Sequence, residues 1–178
     1  MKIQLKTIQL FVFGIVLNTI LGCSGQHSSV ATAKTALPEQ EKFSVIFGET
    51  EVGKMVVKRN AKSINIDFSF SNNGRGASSK ETLTLSETGL PIAWHITGKT
   101  VFGNEVDEQF GVQGNMANWQ SSAESGNAKF NNKAIYIAQN ASPYALYIYA
   151  KALLEQSNHS LSALPSGELT ITQVEQIE

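Results

Sequence analysis

Few residues in this chain have the types and spacing that chemistry needs. The histidines, His27, His95 and His159, are scattered along it. No HxH, HExxH or CxxC brings ligands to the spacing at which they converge on a metal. No G-x-S-x-G elbow presents a serine for nucleophilic attack. Gly74-Arg75-Gly76 lacks the lysine and hydroxyl of a phosphate-binding loop. One dense acidic group remains: Glu105, Asp107 and Glu108. Glu108 shares its parity with Val106, Phe110 and Val112, so alternation points it to the apolar face and Asp107 to water. A carboxylate on a core face must be paired or held neutral. The expected partner is a cation, Arg75 or a lysine, and contact with a ligand is the functional alternative. A pair of carboxylates for glycoside hydrolysis would need a cleft that nothing else in the sequence supports.

The single cysteine, Cys23, offers a different chemistry. Lys2 and Lys6 precede an apolar stretch from Ile8 to Leu21, which closes in Ile20-Leu21-Gly22-Cys23. This reads as a lipoprotein signal, residues 1–22, whose removal leaves a lipid-bearing cysteine at the new N-terminus. The stretch falls short of the ~20 residues a membrane-crossing helix needs. Ser24 follows the cysteine rather than an aspartate, which favours an outer-membrane position facing the periplasm. With Cys23 lipidated, no thiol remains for a disulfide or a cysteine metal site. The chain carries a formal charge of −1 and only 16% charged residues. It has no basic stripe, so a nucleic-acid partner is not expected.

The elements that would position these residues follow from periodicity. Residues 23–41 hold only Val30 and Leu37 as sizeable apolar side chains and read as a flexible tether. From residue 42 to 178 the pattern is that of one antiparallel β domain. Phe43, Val45 and Phe47 alternate, with a turn over Gly48–Gly53, and Met55–Lys58 follows. Asn60-Ala61-Lys62 turns into Ile64, Ile66, Phe68 and Phe70, which alternate with polar residues as a half-buried strand requires. Strands are further expected at Thr82–Ser86, with Leu83 and Leu85 inward, and at Ile92–Thr97, with His95 outward. Val106–Val112, Met116–Ser121, Lys133–Gln139 and Glu168–Val174 complete the set. In Lys133–Gln139, Ile135 and Ile137 share a face opposite Tyr136. Short strands separated by turn signals predict a mainly β fold, a meander forming a curved sheet, half-barrel or sandwich. One helix is expected near the C-terminus. Ser142 is its N-cap and Pro143 its first residue. Leu146, Tyr149, Ala150 and Leu153 recur at helical spacing, and Asn158 stops it. Tyr144, Tyr147 and Tyr149 on this helix read as a surface packing on the sheet.

Several stretches in order resemble the domain that precedes the catalytic barrel in lipoprotein-type bacterial amidohydrolases close to imidazolonepropionase. They are Phe70–Gly76, Glu87–Pro91, Val106–Phe110, Ala117–Ser121, Ala123–Gly126, Ala150–Leu154 and Leu164–Glu168. The resemblance implies a metal-dependent hydrolase of C–N bonds. It also implies that the metal, its HxH ligands and the catalytic aspartate belong to a barrel this chain does not contain. No catalytic residue, cofactor or metal ligand is therefore carried over, and a partner barrel is expected instead. Arg75, Trp119 and Glu124 lie in these stretches and join Asp107 and Glu108 as candidate structural or ligand-contact positions. The competing expectation is a lipoprotein binding module, in which sheet and helix enclose an apolar ligand. The domain's termination just after a strand is read as the trace of a longer ancestor.

Overall fold

The computed structural model describes residues 38–131 and 133–172. Eight strands pair in sequence order: β1 (Gln40–Phe47), β2 (Thr50–Arg59), β3 (Ile64–Phe70), β4 (Ser78–Leu85), β5 (Pro91–Lys99), β6 (Glu105–Gln113), β7 (Met116–Gln120) and β8 (Ser125–Lys129). Every pairing is antiparallel, so this is the expected meander, an open sheet rather than a closed barrel. A second layer packs on one face. It consists of β9 (Ala134–Tyr136), α1 (Tyr144–Leu154), β10 (Ser160–Leu164) and β11 (Glu168–Thr170). Among the described residues no helix is long and apolar enough to cross a membrane.

Alternation sets the sheet. On β3, buried Ile66 and Phe68 alternate with exposed Asn65 and Asp67. On β5, Trp94 and Ile96 are buried on either side of exposed His95. The Asn60 side chain accepts hydrogen bonds from the backbone N–H groups of Lys62 and Ser63 at 2.9 and 2.8 Å, closing the β2–β3 turn. The two layers meet through aromatic rings. Phe110 stacks on Tyr136 of β9 at 4.4 Å, and Trp94 meets Tyr149 of α1 edge-on at 6.2 Å.

Several expected boundaries move, each for a physical reason. Gln40 and Glu41 belong to β1, so the β domain starts before the expected residue 42; the expected leader, Cys23 and residues 24–37 lie outside the described residues. The first turn is Gly48-Glu49 alone, because Phe47 pairs directly with Thr50. Gly53 serves close approach instead: a Cβ there would sit 2.2 Å from the Ser69 carbonyl oxygen and 2.5 Å from the Phe70 Cα. The fourth strand starts at Ser78, four residues before expectation, which brings Glu81 into the core row.

The second layer departs furthest. Strand β9 is three residues long and buried at all of them, Tyr136 included, so it has no wet face. After the helix the chain forms β10, which the sequence pattern does not announce. It lies parallel to β9, giving a β–α–β unit inside an otherwise antiparallel fold. Ser142 does not cap the helix. Its hydroxyl is buried without a partner, and Pro143 takes the cap position with no side-chain bond. The inward helix face is Tyr144, Ala145, Ile148, Tyr149, Ala152 and Leu153; Leu146 is 71% exposed and Ala150 faces solvent. The helix ends at Leu154, before Asn158. The last expected strand closes at Thr170 among the described residues, and residues 173–178 lie outside them.

Trp119 shows how tightly the end of the sheet is built. It stands opposite Gly126 of β8, where a Cβ would fall 2.6 Å from the indole. Gly126→Ala should therefore force the ring or strand aside and lower stability by about 1–3 kcal/mol, measured by urea denaturation. An unchanged midpoint would show that the strand gives way freely.

Candidate functional site

Two carboxylates are buried on the inner face: Glu81 at 2% exposure and Glu108 at 1%. Both pair in register with Ile96, so they flank it in one transverse row across β4, β5 and β6. Glu108 accepts from the Tyr136 hydroxyl and the Gln139 N–H, each at 2.8 Å. Its other oxygen accepts from the Asn140 N–H and side-chain amide, each at 2.9 Å. Glu81 accepts from the Ser142 N–H at 2.6 Å, the Ser79 hydroxyl at 3.0 Å and the Trp94 indole at 3.1 Å. Five of these donors belong to residues 136–142, the segment joining β9 to α1. The pair therefore fixes the second layer to the sheet. Seven donors occupy most of the lone-pair positions of the two carboxylates.

The same burial acts on nearby tyrosines. It pushes the Tyr149 phenol up to about 12, although the Ala138 N–H that its oxygen accepts at 2.9 Å works the other way. Tyr136 is driven well above the ordinary phenol value, first by burial and then by its bond to Glu108.

The expected site residues separate. Glu108 is buried, as alternation requires, but hydrogen-bond donors take the place of the expected cation. Glu124 joins it indirectly. The Gln139 side-chain amide donates to Glu124 at 2.8 Å while the Gln139 N–H serves Glu108. Asp107 is on the opposite, exposed face, 2.9 Å from His95 Nε2. Gln109 and then His95 hold its carboxyl below the usual carboxylate range. Arg75 is exposed in the β3–β4 loop, its backbone paired with Asn72. Trp119 is buried with its indole N–H unpartnered. Cys23 lies outside the described residues. Among the described residues no group of three or more His, Cys, Asp or Glu is placed to hold a metal.

Sequence reasoning missed an apolar groove between the β1–β2 hairpin and the helix. It has a volume of about 310 Å³ and is lined by Phe43, Met55, Pro143, Tyr144, Tyr147 and Glu41. Phe43 pairs with Met55 across the hairpin, so both point to the inner face, but Phe43 stays 42% exposed at the mouth. Two of these lining residues are tied together by Arg59, which donates to the Glu41 carboxylate and the Tyr144 hydroxyl and reaches the Pro38 carbonyl at 3.0 Å. Its guanidinium also lies 5.6 Å from the Tyr144 ring centre. Burial draws the Arg59 pKa down, but the bonds to Glu41 and Tyr144 outweigh it and the net shift is upward. Parity could have placed Phe43 and Met55 together. Only the three-dimensional path of the helix adds Tyr144 and Tyr147.

A larger depression of about 510 Å³ lies on the outer face, among Lys54, Lys58, Lys80, Asp67, Thr82 and His95. No protein-family model, curated protein or solved structure matches the chain.

Proposed function

We propose that this chain is a non-catalytic binding module of the bacterial envelope, held at the outer membrane by lipid on Cys23, that takes an apolar ligand in the groove beside the helix. The observation that carries this reading is the groove itself. It combines aromatic and thioether walls with a single carboxylate, Glu41, and the phenols of Tyr144 and Tyr147, the usual composition of a small-molecule site. An alkyl chain or ring would lie against Phe43, Met55 and Tyr147, and any polar head would face Glu41.

The test is to purify the mature protein, extract it with organic solvent, identify what is released, and titrate the stripped protein with a fluorescent alkyl probe. Saturable probe binding is expected, with a loss of about tenfold or more in Met55→Trp, where the indole fills the space a ligand would occupy. Wild-type protein that releases nothing apolar and ignores the probe would overturn the reading.

The second reading is the accessory domain of an amidohydrolase, supported by the ordered stretches from Phe70 to Glu168. There the barrel supplies metal and catalysis, this chain supplies neither, and the groove seats a barrel side chain. An HxH-bearing barrel encoded next to this chain would favour it.

A further inference from the structure

The outer face of the sheet treats its charges in two ways. On β5 and β6 they are matched across the strands, with His95 2.9 Å from Asp107 and Lys99 3.1 Å from Glu105. On β2 to β4 they are not. Lys54, Lys58 and Lys80 border the depression of about 510 Å³ together with one exposed carboxylate, Asp67. Among the described residues none of these four makes an ion pair. Glu81 also borders the depression, but its carboxylate turns inward to Ser142 and Trp94. Three cations against one carboxylate leave a local excess of two positive charges, in a chain whose formal charge is −1. Register fixes the layout. Lys54 and Lys58 are four residues apart on β2, or ~13 Å. Asp67 on β3 is level with the midpoint between them, because it pairs with Val56, and on its other side it pairs with Lys80 of β4. The lysines therefore form a triangle with Asp67 inside it. Asn65 and Thr82 stand opposite each other in the next row, the Thr82 hydroxyl donating to the Asn65 side-chain oxygen at 3.3 Å.

We infer that this depression binds an acidic saccharide, one carrying at least two uronate, sulfate or phosphate groups. The site is on the face opposite the apolar groove and stands or falls without it. The position of Asp67 selects the ligand. A bare inorganic anion drawn to the middle of the triangle would meet that carboxylate and be repelled. A body with hydroxyl groups at its centre and acid groups at its rim suits both features. Its hydroxyls donate to Asp67, a charge-assisted bond, and Asn65 and Thr82 extend the polar floor. Its acid groups meet the lysines, whose flexible ammonium groups follow a negative charge without demanding one fixed geometry. The volume of about 510 Å³ falls within the ~300–1,000 Å³ of small-ligand sites. No aromatic side chain borders the depression, so nucleobases have no stacking platform there.

The full-length protein tests this on an array of uronate-, sulfate- and phosphate-bearing oligosaccharides, with their neutral counterparts, tripolyphosphate and duplex DNA, at ~0.15 M salt. At least one acidic saccharide should bind about tenfold or more tightly than its neutral counterpart, tripolyphosphate or DNA. Lys58→Gln and Lys80→Gln should each weaken that binding about fivefold. Lys133→Gln makes the same charge change at an exposed position just before β9 of the second layer, and should leave it within about twofold. Asp67→Ala separates a built site from bulk attraction. Removing a negative charge strengthens the binding of any polyanion held by net charge alone, whereas the saccharide loses its acceptor and should bind about fivefold more weakly. The substituted residues are all exposed, and the circular-dichroism sheet signal checks that each variant folds. The inference is overturned if no acidic saccharide binds, or if the neutral counterpart, tripolyphosphate or DNA binds as tightly. It is equally overturned if Lys133→Gln weakens binding as much as Lys58→Gln, or if Asp67→Ala binds as tightly as the unaltered protein or more so.

Discussion

Glu108→Ala should lower the unfolding free energy by about 3–5 kcal/mol, because it strands the Tyr136 hydroxyl and the Gln139 and Asn140 N–H groups away from water, and each unsatisfied buried group costs ~1–3 kcal/mol. Glu108→Gln should recover less than half of this. An amide can turn only one oxygen towards the four donors and adds an N–H₂ where the chain offers further donors. Arg75→Ala separates this account from a buried ion pair. If Glu108 were paired with that arginine, removing it would leave an uncompensated buried charge; with Arg75 exposed in a loop, the change should stay within ~0.5 kcal/mol. Chemical denaturation with the m-value held common reads all three. A Glu108→Ala loss below ~0.5 kcal/mol would mean that water reaches the β9–α1 connection and satisfies it.

The sheet was legible because its code is local. Parity alone puts Glu108 inward and His95 outward, and Asn60, Gly48 and Gly114 mark turns where the chain reverses. What parity does not state is which donors meet an inward carboxylate. The cation expected for Glu108 gave way to the Tyr136 hydroxyl, the Asn140 amide and two backbone N–H groups from the β9–α1 connection, and the backbone donors leave no trace in residue type. Glu81 was missed by a boundary: with β4 started at Thr82 it fell in the preceding loop, although it shares parity with Leu83. The second layer was hardest to read. Strand β9 is covered on both sides, so Ala134-Ile135-Tyr136 shows no alternation, and β10 is recognisable only through its parallel partner. The helix misled for a related reason. Apolar residues on both faces make Leu146 look as inward as Ile148, and only packing tells them apart. The groove combines residues from β1, β2 and the helix, so no sequence window contains it.

The fold should also fail in alkali. Three of the four tyrosines, Tyr136, Tyr144 and Tyr149, have phenols raised above the ordinary value, and burial is the leading cause for each. For Tyr144 the neighbouring Arg59 opposes the shift without cancelling it. In the unfolded chain a phenol loses its proton near pH ~10. The folded chain keeps it, so above that point the native state binds more protons and stability falls as pH rises. The contribution is complete below pH ~10 and, for Tyr149, is lost through about 12. A shift of about two units at ~1.4 kcal/mol each makes Tyr149 alone worth roughly 3 kcal/mol. Tyr136 adds to this, since its ionisation would set a phenolate against the Glu108 oxygen it now donates to. Tyrosinate absorbance for these three should therefore rise together with the loss of circular-dichroism sheet signal, in one cooperative step. Tyr149→Phe should weaken the protein at neutral pH, because the Ala138 N–H loses its acceptor, and yet flatten the decline with pH, because one late-ionising group is gone. Smooth titration of these phenols near the ordinary value, with the sheet intact, would show that the second layer opens freely and does not hold them in the core.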